Sequence, residues 1–170
     1  MKIIGFVNRN GTAQMVLKGD SSLLVNRKPF FVPEWSTDVR MTPCVVLRVS
    51  RLGKNIQSRF ASRYYDAIAP GADMQAADYV EKADWVHAWA FDYSMVVGTF
   101  IGTDHPYWED IDNKTIIRCN EAICQASAVM TIRQGDMVFV DYAVPPRPLT
   151  RDEVIAENID NQEVLYCKIK

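Results

Sequence analysis

Val45-Val46-Leu47-Arg48-Val49, entered through Met41-Thr42-Pro43-Cys44 and left through Gly53-Lys54-Asn55, is the stretch that decides the fold. Valine side chains branch at Cβ, which suits a pleated, packed surface better than a helix. Pro43 and Gly53 bound the run, so it reads as a strand, followed by a turn. Similar segments lie on either side. Ile3 to Val7 is a short apolar run typical of a strand. Met137 to Val140 is another, reached across Gln134-Gly135-Asp136, and Glu163 to Ile169 alternates like a last strand.

The intervening chain predicts more short elements. Leu23-Leu24-Val25, Asn26 to Pro29 and Phe30-Phe31-Val32 read as strand, turn, strand. Ser58 opens a helix to about Ile68, with Phe60, Tyr64, Ala67 and Ile68 on one face, ended by Pro70-Gly71. Asp73 then leads into a second helix near Gln75 to Ala83. Val96 to Ile101 and Ala128 to Ile132 read as strands. Ile116 to Cys124 reads as a hairpin turning at Asn120-Glu121. Pro145-Pro146-Arg147-Pro148 is a stiff extended segment. Thr150 with Glu153 makes a capping-box pattern for a helix to about Asn158. The sum is a mixed β fold with short α-helices, one domain over 1–170, without the alternation of a doubly wound sheet.

Composition narrows the function classes. Apolar residues at 48% and charged residues at 24% are ordinary globular values, which exclude disorder and low complexity. A net charge of −2, with basic residues scattered, argues against nucleic acid or an anionic membrane as partner. The first apolar run is short and ends at Arg9, so a cytoplasmic protein is expected. Cys44, Cys119, Cys124 and Cys167 have no metal-type spacing and read as free thiols. His87 and His105 are the only histidines. Asp110-Ile111-Asp112 lacks the glycine and distal glutamate of a calcium loop and reads as a solvated acidic loop. No phosphate-binding glycine loop, nucleophile elbow or zinc motif is present.

A set of ordered segments resembles the fumarylacetoacetate hydrolase superfamily. They are Leu17 to Leu24, Lys28 to Pro33, Arg51-Leu52-Gly53-Lys54-Asn55-Ile56, Arg63-Tyr64-Tyr65-Asp66, Gly71-Ala72-Asp73, Ala90-Phe91-Asp92, Gly135 to Phe139 and Cys167 to Lys170. Met1 to Ile4 and Arg9-Asn10 resemble the family's first strand and turn. The resemblance implies a β-sandwich roll, usually dimeric, so a homodimer is expected. It implies a site where Mg²⁺, Mn²⁺ or Ca²⁺ sits on three carboxylates, and hydrolase, decarboxylase or isomerase chemistry on small diketo or 2-oxo acids.

The same resemblance implies that the site has been replaced. The family's Glu-x-Glu falls on Thr42 and Cys44, and its third carboxylate on Asp73, the lone surviving metal-ligand position. The family's lysine falls on Trp89, and its substrate loop near Val140-Asp141-Tyr142-Ala143. No histidine precedes residue 87 to serve as the base, and the helix before Gly135 reads as deleted. The reading is a degenerate member with no catalytic residue and no expected cofactor, which binds a small carboxylic acid or pairs with another chain. Candidate pocket positions are Lys18, Thr42, Cys44, Gln75, Trp89, Asp92, Asp141 and Tyr142. Asp73 also reads as a helix cap, Lys18 as a solvated lysine, and Cys44 as a small core residue. The alternative is an enzyme of the same class with a rebuilt site, in which Cys44 is a nucleophile or soft-metal ligand and Asp73, Asp141 and Tyr142 line the pocket. In that case alone Mg²⁺, Mn²⁺ or Ca²⁺ is expected.

Overall fold

A computed structural model of the chain describes residues 1–9, 12–106 and 111–170, with no side-chain description for Asn8 and Arg9. Asn10 of the first turn and Asp110 of the acidic loop therefore lie outside the described residues. Among the described residues eleven strands are formed: β1 (Ile3–Arg9), β2 (Thr12–Lys18), β3 (Leu23–Val25), β4 (Val39–Val49), β5 (Tyr65–Ala76), β6 (Met95–Val97), β7 (Ile101–Gly102), β8 (Met137–Asp141), β9 (Arg147–Pro148), β10 (Val154–Ile159) and β11 (Gln162–Lys168). The helices are α1 (Ala77–Val80), α2 (Trp85–Trp89) and α3 (Asn113–Val129).

Nine strands make one mixed sheet, with the main path β2-β1-β8-β4-β5-β6-β3, and β10-β11 form a separate hairpin. Alternation along β4 shows why its apolar run is unbroken. Val45, Leu47 and Val49 pack with Cys119, Ile123 and Ala126 of α3. Cys44 and Val46 point the other way, toward Phe139 and Trp89. Val39 and Met41 meet Leu165 and Cys167 of the hairpin. Both faces of the sheet are covered, so neither needs polar residues. β1 lies parallel to β8 with Gly5 opposite Phe139. A Cβ on Gly5 would come within 2.1 Å of the Phe139 ring, so the ring occupies the space that glycine leaves.

Several local expectations fail for identifiable reasons. Ile116 to Cys124 is not a hairpin, and the helix thought to be deleted is present as α3. Asp112 caps it, its carboxylate accepting from Thr115 N at 2.9 Å and Thr115 Oγ1 at 2.8 Å. Thr115, Cys119, Ala122, Ile123 and Ala126 are its buried stripe. The helix also takes up the expected strand from Ala128; beyond it only Ile132 bridges, to Gly53.

The helix expected from Ser58 stops as a 3₁₀ segment at Tyr64, and β5 follows. Pro70-Gly71 lies inside that strand. Pro70 is tolerated because it falls where β5 changes partner, from β7 at Ala67 and Ile68 to β6 at Gly71 to Asp73. Asp73 is thus a strand residue and not a helix cap, and the second helix shrinks to α1. Leu23–Val25 is a strand, but it pairs in parallel with β6, while Phe30 bridges Ile169. The expected strand from Val96 to Ile101 divides into β6 and β7. Half the capping box forms, with Thr150 N donating to Glu153 Oε1 at 3.0 Å. Yet the next residues pair with β11 as β10, so no helix follows. The strand β2 was not foreseen.

Candidate functional site

The register places the candidate residues on one face. Thr42 stands opposite Asp73 across β4 and β5, and Cys44 opposite Asp141 across β4 and β8. Residues 42, 44 and 46 of β4 share a face with 73 and 75 of β5 and with 139 and 141 of β8. Lys18 ends the edge strand β2, three intervening strands from β5. In a flat sheet that is about 19 Å, four spacings of roughly 4.8 Å. Lys18 Nζ is nevertheless 2.6 Å from Asp73 Oδ1. The sheet must curl strongly, and this shared face is its concave side.

Lys18 is fully buried and not solvated. Its ammonium donates to Ser94 O at 2.9 Å, Ser94 Oγ at 3.1 Å and Met74 O at 3.4 Å, in addition to the ion pair. Ser94 Oγ in turn donates to Trp89 O at 2.8 Å. Burial pushes the Lys18 pKa down, opposed by Asp73. Burial likewise pushes Asp73 up, opposed first by Lys18 and last by the indole N–H of Trp89. The Asp73 oxygens and Trp89 Nε1 still lack a well-directed hydrogen bond. Cys44 is wholly buried beside them, and burial, then the Asp73 charge, lifts its thiol well above the usual range. That environment suppresses the thiolate, so Cys44 is poorly suited to act as a nucleophile.

Above this cluster opens a cleft of about 400 Å³, within the range of small-molecule sites. Thr42, Gln75, Trp89 and Asp141 line it, with Val7, Val80 and the Val144-Pro145-Pro146 loop. Asp84 caps α2 by accepting from His87 N at 3.2 Å, which fixes the helix that presents Trp89. Asp141 Oδ1 accepts from Arg118 Nη2 at 2.7 Å and from Ala143 N at 2.9 Å. Four of the eight candidate positions therefore meet at the cleft, and Lys18 and Cys44 lie beneath it. Asp92 is exposed elsewhere, and Tyr142 is outside the lining. Sequence reasoning missed Arg118, because its helix was read as a hairpin. It read Pro145-Pro146 as a stiff segment without giving it a wall to form.

Neither histidine lines the cleft. His87 Nδ1 sits 2.7 Å from Asp84 Oδ2 and stacks on Tyr79, and His105 is 3.9 Å from Asp160. A divalent cation of the Mg²⁺ or Ca²⁺ kind needs several oxygen ligands that together offset its dehydration. Among the described residues no three His, Cys, Asp or Glu side chains come together. The one carboxylate at the expected position already faces an ammonium, with neutral Thr42 across from it. These residues do not fit such an ion.

No family model and no curated protein matches the sequence. Solved structures do match. Fumarylpyruvate hydrolase from Pseudomonas aeruginosa, solved in complex with Mn²⁺ and pyruvate, aligns with TM-score 0.80 at 16% identity over 99% of this chain and 88% of that one. 5-Carboxymethyl-2-hydroxymuconate delta-isomerase from Mycobacterium smegmatis gives 0.80 at 16%, over 99% and 78%. A Yersinia pestis protein assigned to the fumarylacetoacetate hydrolase family gives 0.82 at 17%, over 99% and 92%. This chain has the fumarylacetoacetate hydrolase fold.

Proposed function

We propose that this chain is a small-molecule-binding protein that uses the cleft of the fumarylacetoacetate hydrolase fold without that fold's metal-dependent chemistry. The observation that carries the reading is the sealed Lys18–Asp73 pair. An ammonium occupies the space in front of the carboxylate that a divalent ion would need. The carboxylate is wholly buried, so a metal could reach it only by displacing Lys18 from four contacts. What remains above the pair is a cleft with hydroxyl, amide, indole and carboxylate groups on apolar walls, a composition suited to binding.

A second reading is a hydrolase or isomerase on small diketo or 2-oxo acids with rebuilt chemistry. The names of the structural neighbours favour it. Calorimetric titration of the metal-stripped protein with Mn²⁺ separates the two. We expect no saturable heat up to about 1 mM, weaker than about −4 kcal/mol. Stoichiometric binding below about 100 μM, roughly −5.5 kcal/mol or better, together with Mn²⁺-dependent turnover of an acylpyruvate, would establish the second reading instead.

A further inference from the structure

Positive charge is gathered on the side of the sheet that α3 covers, away from the cleft. Residues 39–65 hold six of the nineteen lysines and arginines and no aspartate or glutamate, leaving thirteen cations against twenty-one acids in the rest of the chain. Arg40 and Arg48 are paired with Asp38 and Asp66. Arg51, Lys54, Arg59 and Arg63 are exposed and form no ion pair among the described residues. Glu121, the acid of α3, faces β1 and β2 instead, beside Phe6 and Ala13.

Backbone bonds hold these four cations together. Gly53 exchanges bonds of 3.0 and 2.9 Å with Ile132, while Asn55 N and Ile56 N donate to Ser127 O at 3.0 Å and Ser127 Oγ at 2.9 Å. Lys54 Nζ donates to Ala128 O at 2.9 Å, at the end of α3. Ser50 N donates to Tyr64 O at 2.9 Å, which draws the turn at Arg51 to the 3₁₀ segment that carries Arg59 and Arg63. The guanidinium carbons of those two lie 4.7 and 5.0 Å from the centre of the Phe60 ring. Their charges are therefore within about 10 Å of each other, one Debye length at roughly 0.1 M salt, and they repel. Leu52 and Val129 are exposed beside the Lys54 turn, at 68% and 63%.

We infer that this face docks a short acidic peptide segment of another protein, one that carries apolar side chains among its carboxylates. The inference is independent of the cleft and of what the cleft binds. Carboxylates of the segment meet guanidinium forks already oriented by the Phe60 ring, and they relieve the repulsion between Arg59 and Arg63. Its apolar side chains meet Leu52 and Val129. The turn is fixed by its backbone bonds, so it loses little freedom on binding. A long polyanion, a nucleic acid or a membrane surface, fits less well. It would run beyond the patch onto a surface where acids outnumber cations. Phe60 is already stacked by two guanidinium groups and is not an open platform for a base.

The probe is a short acetylated peptide of glutamates interrupted by two leucines, titrated into the unmodified protein while the backbone ¹⁵N signals are followed. We expect the amides of residues 51–63 to move, with Kd rising about fivefold or more between roughly 50 and 300 mM salt. Glutamine in place of glutamate, and alanine in place of leucine, should each weaken binding. Arg59→Glu with Arg63→Glu should weaken it about tenfold or more, since the peptide then meets like charge. Both positions are exposed. The salt series and the substituted peptides decide the matter in the unmodified protein even if that variant does not fold. Three results overturn the inference: no movement of residues 51–63 at about 1 mM peptide, equal binding of either substituted peptide, or tighter binding of a DNA duplex or of phosphatidylserine–phosphatidylcholine vesicles than of the glutamate peptide.

Discussion

Two buried aspartates flank β4 on the concave face, each paired with a cation, and they are built in opposite ways. Asp73 and Lys18 are both sealed, at 1% and 0% side-chain exposure, and the carboxylate has no well-directed hydrogen bond. Asp141 is equally buried at 3%, but Arg118 keeps 31% of its side chain exposed and reaches it through a 2.7 Å bond, joined by a backbone N–H. A pair closed off from water bears the desolvation of both charges. A pair with one end in solvent largely avoids it. The sealed pair therefore acts on the fold, by tying the edge strand β2 to β5, and the half-open pair borders the cleft.

Breaking the sealed pair should have the largest effect. Lys18→Met leaves Asp73 buried without its counter-charge and should cost about 3–5 kcal/mol in urea unfolding. Removing both charges together, in Lys18→Met with Asp73→Leu, should restore stability to within about 1 kcal/mol of the parent or raise it. If the double variant is as unstable as the single one, the pair is contributing strand register and not merely charge balance. The half-open pair comes next. Arg118→Met should cost about 1–3 kcal/mol, because Asp141 keeps the Ala143 N–H and lies at the cleft wall.

A third pair, Lys2–Asp136 at 2.6 Å, sharpens the contrast through pH. Burial raises the Asp136 pKa, but bonds from Lys2 Nζ, Lys2 N and Arg133 N outweigh it and leave the carboxyl below its usual range. A lowered native pKa means that stability is present above the unfolded value, near 3.8, and is lost as pH falls through the native one. Asp73 is shifted upward, so its sign is reversed. Its contribution falls as pH rises from the unfolded value toward the native one. Asp136→Asn should flatten the acid limb of a stability–pH curve, and Asp73→Asn should not.

The contrast between the pairs also marks what the sequence could reveal. The strand at Val45 to Val49 was legible because its β-branched residues and its bounding Pro43 and Gly53 are local signals. So was the convergence of Thr42, Gln75, Trp89 and Asp141, which depends on family spacing. The Lys18–Asp73 contact was not legible, because it arises from the curl of the sheet across four spacings, and no local pattern reports that. α3 was missed for a different reason. Asn120-Glu121 has turn chemistry, and it outweighed a helical stripe that becomes clear only once Asp112 is recognised as the cap. Pro70-Gly71 misled in the same manner, since a change of strand partner excuses a proline that would otherwise end an element.

The smallest effect belongs to Arg48 and Asp66, which join the same two strands, β4 and β5, on their exposed surface. Their bond is 2.8 Å long, close to the 2.6 Å and 2.7 Å of the two buried aspartates, but the side chains are 46% and 50% exposed. Water solvates both charges in the folded and unfolded states, so little is gained by pairing them. Arg48 also packs over the Phe100 ring at 5.5 Å, a contact that survives loss of the carboxylate. Asp66→Asn should therefore change stability by less than about 0.5 kcal/mol, and less still as salt is raised. A loss comparable to that of Arg118→Met would mean that bond length, and not access to water, ranks these pairs, and the division between sealed and half-open aspartates would lose its basis.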